Sequence, residues 1–393
     1  MLAYLSLLSN AMRCLLFLVC LLYTMSIQAQ QHYSSTIIDS ENGEPLPFAK
    51  VIFGKGLGTT TNMEGKFQIY AMPSDTLHIS CIGYEEVAIV AAELKHIVHL
   101  KIMSKMMNEL VVQPTIPLLV RISKKLYKEY RKNKYRKGLY FYRERHAYSD
   151  GPKMMEAFME ASSCVNLREL QMLTCQRFDS LYNPGNLWGF SQVGVMTNDV
   201  LPMKKSRLIS PLAKNASQTY YDKYYNIEYQ TLRSDNVRVM MITFTNKCED
   251  ILQPIIVGNL FVDPNTLQPL AFRGRIENVQ IWTEHKRQFY LQKCMVQLRI
   301  NYQTINGFTE VRDISTFSYM GFGNKDWVSM YRCNGYELPN FYFRAYPMKK
   351  KVLMREPIEA TGYDSVFWAR HEIVPRTAAE DSIVQAYKKM EYK

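Results

Sequence analysis

The fold of the first part of the chain is decided by Glu64-Gly-Lys-Phe-Gln-Ile69 and by Asp75-Thr-Leu-His-Ile-Ser-Cys-Ile-Gly83-Tyr84. In both runs apolar side chains recur at every second position, so that Leu77, Ile79 and Cys81 share one face. A half-buried β-strand requires this alternation, because its successive side chains point to opposite faces. We therefore predict short strands here, each with one face in a hydrophobic core.

Turn-forming residues lie close together between these runs. Asn42-Gly43 favours a tight reversal, because both residues tolerate positive φ. Pro45 and Pro47 cannot donate hydrogen bonds to a central ladder, so we expect them at a sheet edge or a bulge. About seven strands of about five residues fit between residues 33 and 113, and this close spacing predicts a β-sandwich.

The same stretch resembles the carboxypeptidase-regulatory-like domain that occurs across exported proteins of Bacteroidota. The matching positions are Ile38, Gly43, Pro45-Leu-Pro-Phe-Ala49, Val51, Gly58-Thr59, Asn62, Gly65, Phe67, Asp75-Thr-Leu77, Ile79-Ser80 and Ile82-Gly-Tyr84. The resemblance implies a sandwich module in which Gly65 and Gly83 hold turns and Tyr84 packs at the sandwich edge. It implies no activity, since such modules are not known to be catalytic.

Residues 1–29 are predicted to be a signal peptide. Arg13 precedes the apolar run 14–23, which is too short to span a bilayer. We place the cleavage between Ala29 and Gln30, and we expect translation to start at Met12. The protein is then exported, to the periplasm or to the outer membrane, and is peripheral to a membrane at most.

The chain is basic, with 48 Lys and Arg residues against 36 Asp and Glu residues and a net charge of +12. An anionic partner such as lipopolysaccharide or nucleic acid would suit this excess of positive charge. A basic exported protein without such a partner has the same composition, and we favour this simpler interpretation. We expect no nucleic-acid ligand.

Export permits disulfide bonds, and six cysteines follow the predicted cleavage point. Cys164 and Cys175 have a spacing that suits the two arms of one hairpin, so we predict a disulfide between them. Cys81 lies on an alternating apolar face, where a small core residue is expected. The sequence contains no Cys-x-x-Cys, so it indicates neither a zinc knuckle nor a redox pair.

Residues 118–393 are predicted to form a second domain after a linker at 114–117. A helix over 118–134 is indicated by an apolar stripe at three- and four-residue steps, opposite a basic face. About nine strands then follow, which predict one curved antiparallel sheet. A similar stripe predicts a helix over 378–391. The whole chain is therefore expected to be mainly β, with a sandwich followed by a half-barrel-like sheet and flanking helices.

Part of this second domain resembles half-barrel domains related to periplasmic lipoprotein carriers. The resemblance rests on Gly258-Asn-Leu-Phe-Val-Asp263, Thr266 and Pro269, and on Tyr142-Arg-Glu144 followed by Glu156-Ala157. It implies a curved sheet that wraps a helix and has an apolar concave face. The segment 178–222 has no counterpart in this resemblance.

No catalytic, cofactor or metal site is predicted. A zinc carboxypeptidase needs His-x-x-Glu and a distant His, and no histidine has Glu three residues later. His96 and His99 lie three apart on a predicted strand, so they point to opposite faces. Gly189-Phe-Ser-Gln-Val193 lacks the last glycine of a nucleophile elbow. The tyrosines at 220, 221, 224 and 225 suit either core packing or stacking on a sugar or lipid.

Three serines follow aspartate and precede an apolar residue, as in the O-glycosylation tripeptide of Bacteroidota. They are Ser180, Ser365 and Ser382. We predict them as candidate glycosylation sites on an exported protein.

Together these features favour a non-catalytic envelope protein that binds an apolar or glycan-bearing envelope ligand or assists an outer-membrane complex. The sequence does not identify the ligand-binding residues, although the concave sheet face would supply apolar contacts and the 178–222 loop would gate access to it. One alternative is a hydrolase whose site is built from that loop. Another is a structural adaptor that docks through the sandwich edge onto an outer-membrane protein.

Overall fold

The structure, a computed structural model, describes residues 30–54, 56–105, 115–132, 136–148, 151–178, 208–213, 216–234, 237–247, 253–282, 288–290, 295–319, 325–334, 346–347, 365–368 and 373–391. The predicted signal peptide with Ala29, the glycosylation candidate Ser180 and most of the 178–222 loop lie outside these residues. Within the described part of the chain, no helix is long and apolar enough to cross a membrane.

The predicted seven-stranded sandwich is confirmed. Its strands are β1 (Gln31–Asp39), β2 (Lys50–Phe53), β3 (Leu57–Thr60), β4 (Lys66–Ala71), β5 (Thr76–Ser80), β6 (Val87–Val90) and β7 (Ile97–Leu100). One sheet has the order β4-β1-β7 and the other β3-β2-β5-β6. Leu77 and Ile79 are buried and His78 is exposed, which is the predicted alternation. Gly65 has a φ of 71°, and a Cβ there would lie 2.5 Å from the Ile37 carbonyl oxygen, so this turn requires glycine.

The second part of the chain forms one large antiparallel sheet, as predicted. Its strands are β8 (Ser104–Lys105), β9 (Lys137–Tyr148), β10 (Gly151–Ser163), β11 (Leu167–Phe178), β12 (Tyr225–Ser234), β13 (Val237–Asn246), β14 (Ile255–Val262), β15 (Pro269–Glu277), β18 (Met295–Ile305), β19 (Phe308–Tyr319), β20 (Lys325–Arg332) and β21 (Tyr346–Pro347), beside a separate hairpin of β16 (Gln280–Trp282) and β17 (Gln288–Tyr290). The order is β21-β11-β10-β9-β20-β19-β18-β15-β14-β13-β12-β8. The sheet is curved and open, so it is a half-barrel rather than a closed barrel.

Four α-helices are described. They are α1 (Thr115–Lys132), α2 (Gln218–Tyr224), α3 (Ser365–Trp368) and α4 (Ala378–Glu391). The C-terminal helix matches its predicted bounds, 378–391. The predicted linker 114–117 is wrong, because α1 already begins at Thr115 and includes Pro117, which the first turn of a helix tolerates.

The large sheet buries both of its faces. We call the face that packs against α1 and α2 the inner face and the opposite one the outer face. Leu119, Ile122 and Leu126 of α1 are buried against the apolar side chains of the inner face. The outer face packs against the sandwich and against α3 and α4, and Ile383 of α4 is among the buried residues there.

The sandwich and the large sheet have separate cores, but they are joined by more than a linker. Phe48 of the sandwich stacks on Tyr331 of β20, with ring centroids 5.6 Å apart. Met103, which directly precedes β8, packs against Leu232 and Phe261 of the large sheet. Strand β8 itself pairs with β12. The first module therefore contributes residues to the second sheet and covers part of its outer face.

The predicted disulfide between Cys164 and Cys175 is wrong, because both thiols are free and buried. Cys175 in β11 lies opposite Ala157 of β10, whereas Cys164 lies beyond the end of β10. Seven residues of extended strand separate those positions, which is about 23 Å at about 3.3 Å per residue. A disulfide needs Cα atoms within about 7 Å. The two cysteines are on one hairpin, as predicted, but at different heights along it.

Candidate ligand-binding cleft

An open cleft lies on the outer face where three parts of the chain meet. It encloses about 690 Å³ including its open mouth. Side chains of β9, β18, β19 and β20 form its floor, while Asn62 and Met63 of the sandwich and Thr377 and Glu380 near the start of α4 form its walls. We call it the outer cleft.

The floor of the outer cleft consists of two rows of side chains that cross four neighbouring strands. The rows are Arg299-Ser315-Ser329-Arg143 and Gln297-Phe317-Trp327-Arg145. Each row is set by strand register, because positions two apart on a strand point to the same face. The two serines therefore lie between Arg299 and Arg143, and the two aromatic side chains lie between Gln297 and Arg145.

Arg143 is held entirely by protein groups. Its Nε donates to Glu156 Oε1 at 2.7 Å, and its Nη atoms donate to the carbonyls of Val374 and Pro375 and to Glu380 Oε2. Arg376 also donates to Glu156, at 2.5 Å. Burial disfavours the charged form of Glu156, but Arg143 and Arg376 outweigh it and lower the pKa of that carboxyl.

Arg145 makes a different kind of contact. Its guanidinium lies over the Trp327 ring, 3.7 Å from the centroid, in a cation–π geometry. Its buried Nε has no hydrogen-bond partner among the described residues. Burial lowers the pKa of the guanidinium, while Glu380 and Glu64 at longer range oppose that change. An arginine remains charged at neutral pH regardless of such a shift.

Arg299 stands at the far side of the floor. It forms no ion pair or hydrogen bond with the described residues, and burial lowers its pKa. Its neighbour Arg273 differs, since it donates to the carbonyl oxygens of Phe272 and Ile300 and to the Asn301 side chain. Of the arginines in the outer cleft, Arg145 and Arg299 therefore have guanidinium hydrogen atoms that no described residue accepts.

The inner face contains a second charged cluster, which is sealed. His146 contacts Asp326 through Nδ1 at 2.5 Å and Glu144 through Nε2, and Tyr142 donates to Glu144. His146 and Glu144 have no exposed surface and Asp326 is 4% exposed. No group of three or more His, Cys, Asp or Glu residues within the described ranges could hold a metal ion.

The tyrosines that suggested stacking on a ligand are packing residues. Tyr221 and Tyr225 are buried in the inner core, and Tyr225 packs edge-on against Phe244. Their hydroxyls donate to the carbonyls of Pro211 and Ile256. Tyr220 packs against both Tyr221 and Tyr224.

The other predicted site residues are far from the outer cleft or outside the described side chains. Ser382 is exposed on α4, and its hydroxyl donates to the Ala378 carbonyl at 2.9 Å. Ser365 begins α3, but its side chain is outside the described set, and Gln30 is exposed just before β1. The signal cleavage and the glycosylation of Ser180, Ser365 and Ser382 remain predictions.

Sequence reasoning missed the arginines and Trp327 of the outer cleft. Arg143 and Arg145 alternate with Glu144 and His146, which is a period of two. This period of two indicates that the arginines share one face of a strand. It does not say which strands lie beside β9, and β20 is its neighbour although about 180 residues separate them, as for His146 and Asp326.

Comparison with known proteins supports the sandwich assignment. Residues 33–112 match the family model of the CarboxypepD_reg-like domain, which confirms that resemblance. No curated protein matches the chain.

Three solved structures show similarity to the chain at low identity. One is described as an outer membrane lipoprotein-sorting protein domain from Vibrio parahaemolyticus, at 8% identity and a TM-score of 0.21, covering 56% of this chain and 93% of that one. A DUF1329 family protein from Desulfovibrio piger has 10% identity and a TM-score of 0.20, with 59% and 98% covered. A LolA superfamily protein from Nitrosomonas europaea has 11% identity and a TM-score of 0.19, with 56% and 97% covered. The first and third descriptions name lipoprotein sorting and the LolA superfamily, and at such scores they carry no inference about this chain.

Proposed function

We propose that this chain is a non-catalytic exported protein of the cell envelope that binds a glycan-bearing ligand in the outer cleft. The observation that carries this proposal is an open cleft in which Arg145, stacked on Trp327, and Arg299, on the far side of the floor, have no hydrogen-bond acceptor among the described residues. Aromatic rings that offer an apolar face beside polar donors are common in ligand sites.

The charged groups of the outer cleft favour binding over bond cleavage. Glu380, the carboxylate in its lining, accepts from Arg143 and also from the Thr377 backbone amide, at 2.8 Å. A general base must be free to take a proton from a substrate, and this carboxylate is already engaged. A hydrolase built from the 178–222 loop stays an alternative, because most of that loop lies outside the described residues.

The inner face is the less suitable ligand surface. The sequence alone predicts an apolar concave face gated by the 178–222 loop. In the described part of the chain, α1 and α2 pack directly onto that face, and the side chains of Ile122 and Tyr221 are fully buried. The outer cleft is open, so a ligand can enter it without a prior movement of α1.

Native mass spectrometry of the protein taken from the envelope of its own cells tests this proposal. We expect a glycan-bearing ligand to co-purify with the wild type and to be lost from Trp327→Ala. The matched control is Tyr70→Ala, which removes an aromatic ring that is 63% exposed on the sandwich, away from the outer cleft.

Loss of the ligand from Tyr70→Ala instead would move the binding surface to the sandwich. A stable protein partner, with no small ligand in any sample, would favour the adaptor function. Turnover in a hydrolase screen that survives Trp327→Ala would favour the enzyme.

A further inference from the structure

The charges around the outer cleft do not cancel. Arg143 and Arg376 are balanced by Glu156 and Glu380, with which they form ion pairs. Two positive groups then remain at the floor, and none of the described residues gives them a carboxylate partner. Elsewhere on the outer face, Arg312 pairs with Asp313 at 2.6 Å and Arg275 with Glu277 at 2.6 Å, while the Arg273 guanidinium donates to neutral oxygens.

We infer that the outer cleft takes an acidic oligosaccharide, whose carboxylate or phosphate groups bind Arg145 and Arg299. This inference rests on the proposed function, since it names the class of ligand for the same site. It adds that charge, and not only ring stacking, selects the ligand.

The first argument is the cost of an unpaired arginine. Arg145 and Arg299 are half-buried, so both have lost part of their hydration without gaining a carboxylate from the described residues. A buried donor without an acceptor costs free energy. A ligand oxygen bound at the Nη atoms of Arg145 would compensate for hydration that the guanidinium has lost. Guanidinium groups match carboxylate and phosphate oxygens through paired N–H donors.

The second argument is the spacing of the two arginines. Arg145 is on β9 and Arg299 is on β18, three strand steps away. At about 4.8 Å per step the strands are about 14 Å apart. A single phosphate or acetate cannot bridge such a gap. A chain of sugar rings can do so, with an acidic group near each end.

The third argument is the surface between the arginines. Ser315 and Ser329 provide hydroxyls there, Gln297 provides an amide, and Phe317 and Trp327 provide aromatic rings 5.2 Å apart. Hydroxyls and amides can hydrogen-bond to sugar hydroxyls, and aromatic faces pack against the C–H groups of a pyranose. The Ser329 hydroxyl and the Gln297 amide each donate to a protein group, the Arg143 carbonyl at 3.5 Å and the Met295 sulfur at 3.7 Å, but their oxygens can still accept from sugar hydroxyls.

Isothermal titration calorimetry with tetragalacturonate and with its methyl ester tests the inference. The two probes share one ring chain, and only the ester lacks the negative charges. We expect tetragalacturonate to bind at least tenfold more tightly than the ester, with an affinity that falls as salt is added.

Substitutions identify which arginines recognise the charge. We expect Arg145→Gln and Arg299→Gln each to weaken tetragalacturonate binding about tenfold and to leave ester binding unchanged. Arg168→Gln is the matched control, because Arg168 also stacks on an aromatic ring, Tyr130, at 3.9 Å, but lies outside the outer cleft. Arg145→Lys keeps the charge without the fork and should restore part of the affinity.

The outcomes separate this inference from the proposed function. Equal affinity for both probes would overturn the inference, while leaving the cleft as a glycan site. A native glycan that carries no charge and is lost from Trp327→Ala would also overturn the inference and leave the cleft as a glycan site. Absence of tetragalacturonate binding, or equal loss in Arg168→Gln, would also overturn the inference. A folded state that matches the wild type in thermal unfolding is required of each variant, and Arg145→Lys serves where Arg145→Gln does not fold.

Discussion

The inner and outer faces of the large sheet each bury a charged cluster. One cluster connects adjacent strands, and the other connects the sheet to a segment distant in sequence. On the inner face, His146 bridges Glu144 and Asp326, which lie on the adjacent strands β9 and β20. On the outer face, Arg143 and Glu156 of the sheet hold Arg376 and Glu380, more than 200 positions away. The inner cluster is internal to the sheet, whereas the outer cluster fastens a separate segment onto it.

This difference suggests why the outer face is the better candidate for the ligand site that we propose. The segment 373–380 crosses from the sheet to the sandwich, where the carbonyls of Ile373 and Pro375 accept from Thr59 and Asn62. It thereby fixes one wall of the outer cleft. Arg143 holds this segment in place. Arg145, two residues later on the same face, does not contact the segment's carbonyls and is available to a ligand. On the inner face, α1 and α2 pack onto the sheet instead.

The largest expected effect comes from breaking the outer cluster. Arg143→Ala should lower the free energy of unfolding by about 3–5 kcal/mol, because it leaves Glu156 buried with one fewer cation and the Val374 carbonyl without its donor. Urea denaturation measures this loss. The control is Arg275→Ala, which removes an exposed pair with Glu277 and should cost at most about 1 kcal/mol. Equal losses for both variants would contradict the fastening role.

The next effect tests the inner face. Ile122→Ala in α1 should cost about 2–5 kcal/mol, since Ile122 is fully buried in a packed core. Lys124→Ala, on the exposed side of the same helix, should change stability by less than about 0.5 kcal/mol. If the inner face were instead the ligand cavity, Ile122→Ala would be tolerated and would increase the amount of lipid that co-purifies.

Local patterns predicted much of this architecture. Alternation predicted the strands of the sandwich, and the stripe through Leu119, Ile122 and Leu126 predicted the helix that packs on the sheet. The helix over 378–391 also follows from its own periodicity. These features depend on residues close in sequence, whose spacing alone decides which side is buried.

The outer cleft depends on contacts that sequence spacing does not contain. Arg143 and Arg145 look equivalent, yet only Arg143 meets Glu380, 237 positions away. The pairing of β9 with β20 brings Trp327 beside Arg145. The failed disulfide has the same origin, since two cysteines on one hairpin can bond only if the register sets them opposite each other. Register and strand order are tertiary properties.

A smaller effect concerns pH and the inner cluster. Burial disfavours the charged form of His146, but Glu144 and Asp326 outweigh it and raise its pKa to about 9, above the unfolded value of about 6.5. The stabilisation is therefore complete below about pH 6.5 and is lost as the pH rises through about 9. The difference in pKa corresponds to about 3 kcal/mol.

Urea denaturation at pH 6 and at pH 9.5 measures that effect. The wild type should lose about 3 kcal/mol more than His146→Gln between the two pH values. Arg145→Gln, on the outer face of the same strand, should retain the wild-type pH dependence. A wild type with unchanged stability across this range would mean that the imidazole is neutral in the folded protein.

The smallest expected change in stability is at Ser382, which neighbours the buried Ile383 on α4. Ile383 is buried against the outer face, whereas Ser382 is exposed and its hydroxyl donates to the Ala378 carbonyl. Ser382→Ala should change stability by less than about 0.5 kcal/mol, because the higher helix propensity of alanine offsets the lost hydrogen bond.

A glycan on Ser382 would extend into solvent without disturbing the outer face. Protein from the native envelope should then lose less mass on mild base treatment when it carries Ser382→Ala, and an identical mass loss would exclude this serine as a glycosylation site.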